Sequence, residues 1–186
     1  GVTILHGSGK ILGPHKVEVG DTVYTAKKIL IATGGWPVKP SYPGADYVID
    51  SNDIFSLDTL PKKVIVEGGG YIAVEFAGIL NGLGCETELV YRGPLFLRGF
   101  DNEIREFLAK EVEKKGIKLS FETQIQGVKK TGGRFSVELS SGESRSVDGV
   151  VSAIGRRPMI DGLGMENTNI TLNPNQTIPV NDYMQT

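Results

Sequence analysis

The 186-residue sequence predicts an α/β fold, in which a parallel sheet with crossover helices carries a three-stranded antiparallel β-meander. Three observations lead there. Between residues 62 and 122, short apolar runs alternate with two helical patterns. After residue 122 the chain turns to period-two alternation, with no further long helical pattern. "GVVSAIG" (149–155) is then apolar almost throughout, as suits a buried strand returning to the parallel sheet.

From the N-terminus, "VTILH", "KVEVGDTVYTA" and "KKILIAT" make residues 2–32 read as β throughout, broken by Gly-Pro and Gly-Asp signals. "GGWPVKPSYPGAD" (34–46) holds three prolines and three glycines and reads as a boundary between two units. Ser51 is placed to cap a short helix through Phe55, and Pro61 ends that region. "KKVIVEGGG" is a strand over 63–67 running into a glycine triplet. Ile72, Phe76, Ile79, Leu80 and Leu83 then recur at helical spacing and predict the inner face of a helix. Ala73, Ala77 and Gly78 are small enough to let that helix lie close on a sheet. "ETELVY" (86–91) is a second strand. Asp101 can N-cap a helix with Ile104, Phe107, Leu108 and Val112 inward, closed by Lys114, Lys115 and Gly116. "IKLSFE" (117–122) is a third strand. This β-α-β-α-β order implies right-handed crossovers. "QIQGVKK", "RFSVELS" and "SRSVDG" supply the meander.

Hydrophobic content of 39% and charged content of 23% are those of a soluble globular protein. A net charge of −2 argues against a general binder of nucleic acid or anionic membrane. No run is long enough to span a bilayer, and no signal peptide is visible. The single cysteine, Cys85, excludes an internal disulfide or a Cys-x-x-Cys pair and fits a reducing, cytoplasmic setting. The sequence shows no metal-ligand set. Both ends read as cut, each on a strand-like run, so a segment of a longer protein is expected.

Gly68-Gly69-Gly70-Tyr71-Ile72-Ala73 fits G-x-G-x-x-G/A. The pattern follows a strand, opens a helix, and precedes a second strand, which is the context a Rossmann-like dinucleotide site needs. Gly68 makes the turn, Gly70 lets backbone approach a pyrophosphate, and Ala73 packs helix on strand. The helix N-terminus offers N–H groups to the phosphates. NAD-type sites carry an acid at the end of the second strand, where this sequence has Val90-Tyr91-Arg92. A guanidinium there binds a 2′-phosphate that a carboxylate would repel. Arg98, across the turn, can reach the same group. The expected ligand is NADPH rather than NADH; the alternative is two solvated arginines. Glu88 lies too early in the strand to serve as a ribose ligand.

"GGGYIAVEFAGILNGLG", the arginine pair in "RGPLFLRGFD", "IATGGWP", "SAIGRRP" and "VNDYMQT" together resemble the flavin disulfide reductases, most nearly the glutathione reductase branch. The resemblance covers the whole chain. It implies a remnant of an FAD domain over 1–35, an NADPH-binding domain over 36–157, and a return toward the FAD and central domains over 158–186. It further implies delivery of hydride from NADPH to FAD, in a parent that is a homodimer through a domain absent here. By resemblance, Gly68, Gly70, Tyr71 and Ile72 form the nicotinamide-side loop, with Tyr71 as an aromatic lid over the flavin. Glu75 lies beside the flavin, and Arg92 and Arg98 clamp the 2′-phosphate. Ala153, Ile154, Gly155 and Arg156 cover the dinucleotide from the other side. Thr33 and Gly34 contact FAD through backbone. Each has a plainer role open to it, as a packing or surface residue. The other readings are a related reductase of the trypanothione, mercuric or dihydrolipoamide type, or a non-enzymatic NADPH-sensing module.

Two departures stand out. Glu67 precedes Gly68 where the family carries a small or apolar residue, so it is expected to face outward or to be partnered. The family's redox cysteine pair and acid–base histidine are also missing. His6 and His15 lie in the early β region and read as structural or surface groups. No catalytic residue is therefore assigned within these positions, and the segment alone is expected to bind NADPH and reduce nothing.

Overall fold

Val64, Ile65 and Val66 are almost wholly excluded from solvent in the computed structural model, which describes all of residues 1–186. They sit in one of two compact units: residues 37–155 form one, and residues 1–36 with 156–186 form the other.

In chain order the strands begin with β1 (Gly9–Gly13), β2 (Lys16–Val19), β3 (Thr22–Thr25) and β4 (Gly35–Pro37). Then come β5 (Lys63–Glu67), α1 (Tyr71–Gly82), β6 (Glu86–Val90), α2 (Asn102–Lys114) and β7 (Lys118–Ser120). The chain closes with β8 (Ile125–Thr131), β9 (Arg134–Leu139), β10 (Ser144–Val147), β11 (Gly149–Ser152) and β12 (Arg156–Pro158).

The 37–155 unit has three layers. Its middle is a four-stranded parallel sheet in the order β11-β5-β6-β7. Period-two alternation sends neighbouring residues to opposite faces. Val64, Val66, Leu89 and Val151 join a core with α1 and α2, while Ile65, Val90 and Val150 join a second core. That second core is covered by the antiparallel meander β10-β9-β8, through Val128, Val137 and Leu139. Full burial of such side chains is worth about 1.5–3 kcal/mol each, so both faces hold the sheet.

The helices lie differently from their apolar spacing. On α1 the buried residues are Ala73, Phe76, Ala77 and Leu80, whereas Ile79, and Leu83 at the C-cap, are exposed. The small residues decide this: a helix seats closest along its alanine stripe, and this rotates the larger aliphatics to its flank. On α2 only Ala109 is fully buried, with Leu108 and Val112 packed partly against the core and Ile104 and Phe107 exposed. No α-helix forms at Ser51. Asp53 Oδ2 accepts from Asp50 N and Asp50 Oδ1 from Asn52 N, and the segment makes only a 3₁₀ turn over Ile54–Ser56. Such side-chain bonds to local backbone compete with a helix.

In the other unit β1, β2 and β3 form an antiparallel sheet. β1 is joined by the later chain, since Ile11 N donates to Leu163 O and Asn167 Nδ2 to Ile11 O. The strand-like runs "VTILH" and "KKILIAT" are not strands, nor is the closing "TIPVNDYMQT". Alternation specifies a strand only where a partner supplies the ladder, and Val2, Ile4 and Leu30 stay exposed. Asn181 Oδ1 instead accepts from Tyr183 N and Gln185 N, which closes a turn. No helix is long and apolar enough to cross a membrane.

Candidate functional site

The glycine triplet joins β5 to α1 at the C-terminal edge of the parallel sheet, and its three members differ in what they touch. Gly68 has φ +143°, and a Cβ there would fall 2.4 Å from Ala153 O. A Cβ on Gly69 would lie 2.3 Å from the Tyr91 ring. Those two positions need glycine for the protein's own packing. A Cβ on Gly70 would meet nothing within 4 Å, so the space before it is open.

Gly70 is also the N-cap of α1, and no side chain caps that helix. α2 is the contrast: Asp101 Oδ1 accepts from Glu103 N at 3.0 Å and Ile104 N at 3.2 Å. The first turn of α1 thus keeps its N–H groups for an acceptor from outside, together with the positive end of the helix dipole.

A cleft of about 720 Å³ opens there, within the usual size of small-molecule sites. Gly68, Gly69, Gly70 and Tyr71 line it, as do Ala153, Ile154 and Gly155 from the end of β11. Arg92 and Arg98 line the same cleft, both exposed, with no carboxylate paired to either among the protein's ion pairs. The loop between them folds back on the glycine turn, with Leu97 N donating to Gly69 O at 2.6 Å. An uncapped helix start, open space at Gly70 and two unpaired guanidinium groups suit a ligand bearing more than one phosphate.

A family model described as pyridine nucleotide-disulphide oxidoreductase matches residues 1–186. The chain belongs to this family. A glutathione reductase of Burkholderia cepacia is 43% identical over 185 residues, covering all of this chain and 41% of that protein. The chloroplastic/mitochondrial glutathione reductase of Pisum sativum is 38% identical, covering all of this chain and 34% of the relative. Among solved structures, the HOCl-induced flavoprotein disulfide reductase RclA from Escherichia coli superposes with a TM-score of 0.91 at 26% identity. That match covers 99% of this chain and 43% of RclA. The chain spans less than half the length of the curated relatives it matches.

The other site candidates of this oxidoreductase chain are not among the residues that line the cleft. Ile72 is half-buried and Glu75 exposed on α1, and neither lines the cleft. Thr33, Gly34 and Arg156 belong to the unit of residues 1–36 and 156–186. There Gly34 has φ +72° and its carbonyl accepts from Met159 N, while the Arg156 guanidinium donates to Gly35 O. His15 Nδ1 is 3.1 Å from Ala26 O in the same unit. Cys85 is buried, and burial pushes its thiol pKa up, away from reactivity.

Glu67 lines the cleft and is partnered: Tyr42 Oη donates to its Oε2 at 2.9 Å and Ser152 Oγ at 3.3 Å. Burial raises its pKa above the usual carboxylate range, although both hydroxyls pull it back. Burial first, then the Glu67 charge, push the Tyr42 phenol well above its ordinary value and keep it a neutral donor. Tyr42 carried no signal in the sequence, because its contact spans 25 positions. Tyr91 is likewise a product of the fold, its ring held against Gly69 and Gly93. Glu88 is fully engaged elsewhere, receiving Ser120 Oγ at 2.6 Å, Arg145 Nε at 3.0 Å and Lys118 Nζ at 3.1 Å.

Proposed function

We propose that this chain is the NADPH-binding part of a flavoprotein disulfide reductase of the glutathione reductase type, which delivers hydride from NADPH to FAD. The observation that carries this reading is the placement of Arg92 and Arg98 on the cleft of the glycine loop. A 2′-phosphate is the feature that separates NADPH from NADH, and two guanidinium groups answer it with charge-assisted hydrogen bonds. Residues 36–157 are read as the NADPH domain, 1–35 as a remnant of an FAD domain, and 158–186 as the start of the return toward the FAD and central domains.

Each residue then has a role. Gly70 and the bare start of α1 receive the pyrophosphate. Ala153, Ile154 and Gly155 close the opposite side of the cleft. Tyr71, 60% exposed at the first position of α1, acts as the lid that shields the flavin until NADPH displaces it. Ile72 completes the nicotinamide-side loop, Glu75 stands beside the flavin, Arg156 extends the cover over the dinucleotide, and Thr33 and Gly34 contact FAD. Hydride chemistry is the contribution of the bound cofactors; the protein positions them and excludes water. The parent protein is read as a cytoplasmic homodimer.

Titration of the chain with NADPH and with NADH tests the reading. Binding of NADPH at least about tenfold tighter than NADH is expected from one charge-assisted contact alone. A preference for NADH, or no binding of either, would overturn it.

A further inference from the structure

We propose that Arg105, on α2, is a positioning residue that sets Arg98 in the cleft and thereby the preference for a 2′-phosphorylated dinucleotide. This rests on the NADPH reading above and deepens it.

The segment from Tyr91 to Asp101 has little regular structure of its own. Leu97 sits at φ +55°, a left-handed conformation that a non-glycine residue adopts only when its surroundings hold it there. Arg105 supplies much of that hold. Its Nε donates to Phe96 O at 2.7 Å and its Nη2 to Leu95 O at 2.7 Å. Nη1 donates to Asn102 Oδ1 at 2.6 Å, which steadies the guanidinium on its own helix. The next residue, Leu97, gives its N–H to Gly69 O. Residues 95 and 96 are thus tied to α2 through their carbonyls and Leu97 to the glycine loop through its amide, and Arg98 follows directly.

Only a planar fork can hold two successive carbonyls in this way; an ammonium group cannot bridge both with the same geometry. Every partner of Arg105 in these bonds is a neutral oxygen, and Arg105 itself does not line the cleft, so it acts on the site through the loop it holds. Arg92 is held by different means. Tyr91 O accepts from Thr123 N and Gly93 O from Glu122 N, both from the segment after β7. Arg105 should therefore be coupled to Arg98 and independent of Arg92.

A double-mutant cycle tests this, reading dissociation constants of the 186-residue chain for NADPH and NADH. Arg98→Ala and Arg105→Ala should each weaken NADPH about tenfold and leave NADH nearly unchanged. The two together should be little worse than either, whereas Arg105→Ala with Arg92→Ala should multiply. If Arg105→Ala fails to fold, Arg105→Lys carries the same cycle, with an intermediate loss of NADPH preference. Loss of NADPH preference in Arg98→Ala but not in the Arg105 variants, or full additivity with Arg98, overturns the positioning role alone. NADPH preference untouched in Arg92→Ala and Arg98→Ala overturns the NADPH reading and this role with it.

Discussion

The Tyr42 hydroxyl donates to Glu67 Oε2 at 2.9 Å, and so ties the loop before the parallel sheet to the last residue of its first strand. Ser152, the register partner of Glu67 on the neighbouring strand, donates to the same oxygen. A carboxylate that would otherwise stand bare beside the glycine turn is thereby held by two neutral hydroxyls. The cost of burying it remains, and shows as a raised pKa.

That cost has a definite pH signature. A carboxyl whose folded pKa is raised stabilises the fold fully below its ordinary range, and the contribution is lost as pH rises through the raised value. Glu67→Gln removes the titration while keeping an oxygen for Tyr42 and Ser152. The melting temperature of the variant should therefore gain on that of the parent as pH rises from the ordinary carboxylate range upward. A difference that stays flat, or shrinks with rising pH, would contradict the assignment.

The glycines of the turn should separate under substitution. Gly68→Ala places a methyl 2.4 Å from Ala153 O in a left-handed backbone and should lower stability by about 2 kcal/mol or more. Gly70→Ala has free space in the protein and should alter stability by less than about 1 kcal/mol. Its effect should fall on dinucleotide affinity, because the methyl enters the space a pyrophosphate would take. Thermal melts with cofactor titration distinguish the two. Equal stability losses would mean that Gly70 serves packing alone.

Glu88 carries the opposite charge logic. Burial by itself would raise its pKa, but the Ser120 hydroxyl, Lys118 and Arg145 outweigh it and the pKa is lowered. A lowered folded pKa means stabilisation that is present above the ordinary carboxylate range and lost as pH falls through the folded value. Glu88→Ala should cost roughly 2–3 kcal/mol at neutral pH. This is below the loss for a fully buried pair, since Lys118 remains half in solvent. The loss should shrink toward acid in denaturant melts; a deficit that does not change with pH would rule the ion pairs out as its source.

Local pattern was enough for much of the molecule. "KKVIVEGGG" marked β5 and its turn, Asp101 its capped helix, and three alternating runs the meander, because each depends on neighbours within a few residues. Faces were less legible. Ile79, Leu83, Ile104 and Phe107 have core spacing and are exposed, since which stripe of a helix is buried depends on how near the sheet can approach.

The sequence by itself determined the α/β order, the family, and the residue types at the glycine turn and its arginines, all of which are written in short-range spacing. Only the tertiary structure decided that Arg92 and Arg98 share one hollow, that Tyr42 meets Glu67, and that Arg105 grips the carbonyls of residues 95 and 96. Those relationships depend on where a loop lies in space, and side-chain hydrogen bonds across the fold, rather than local propensity, place it there.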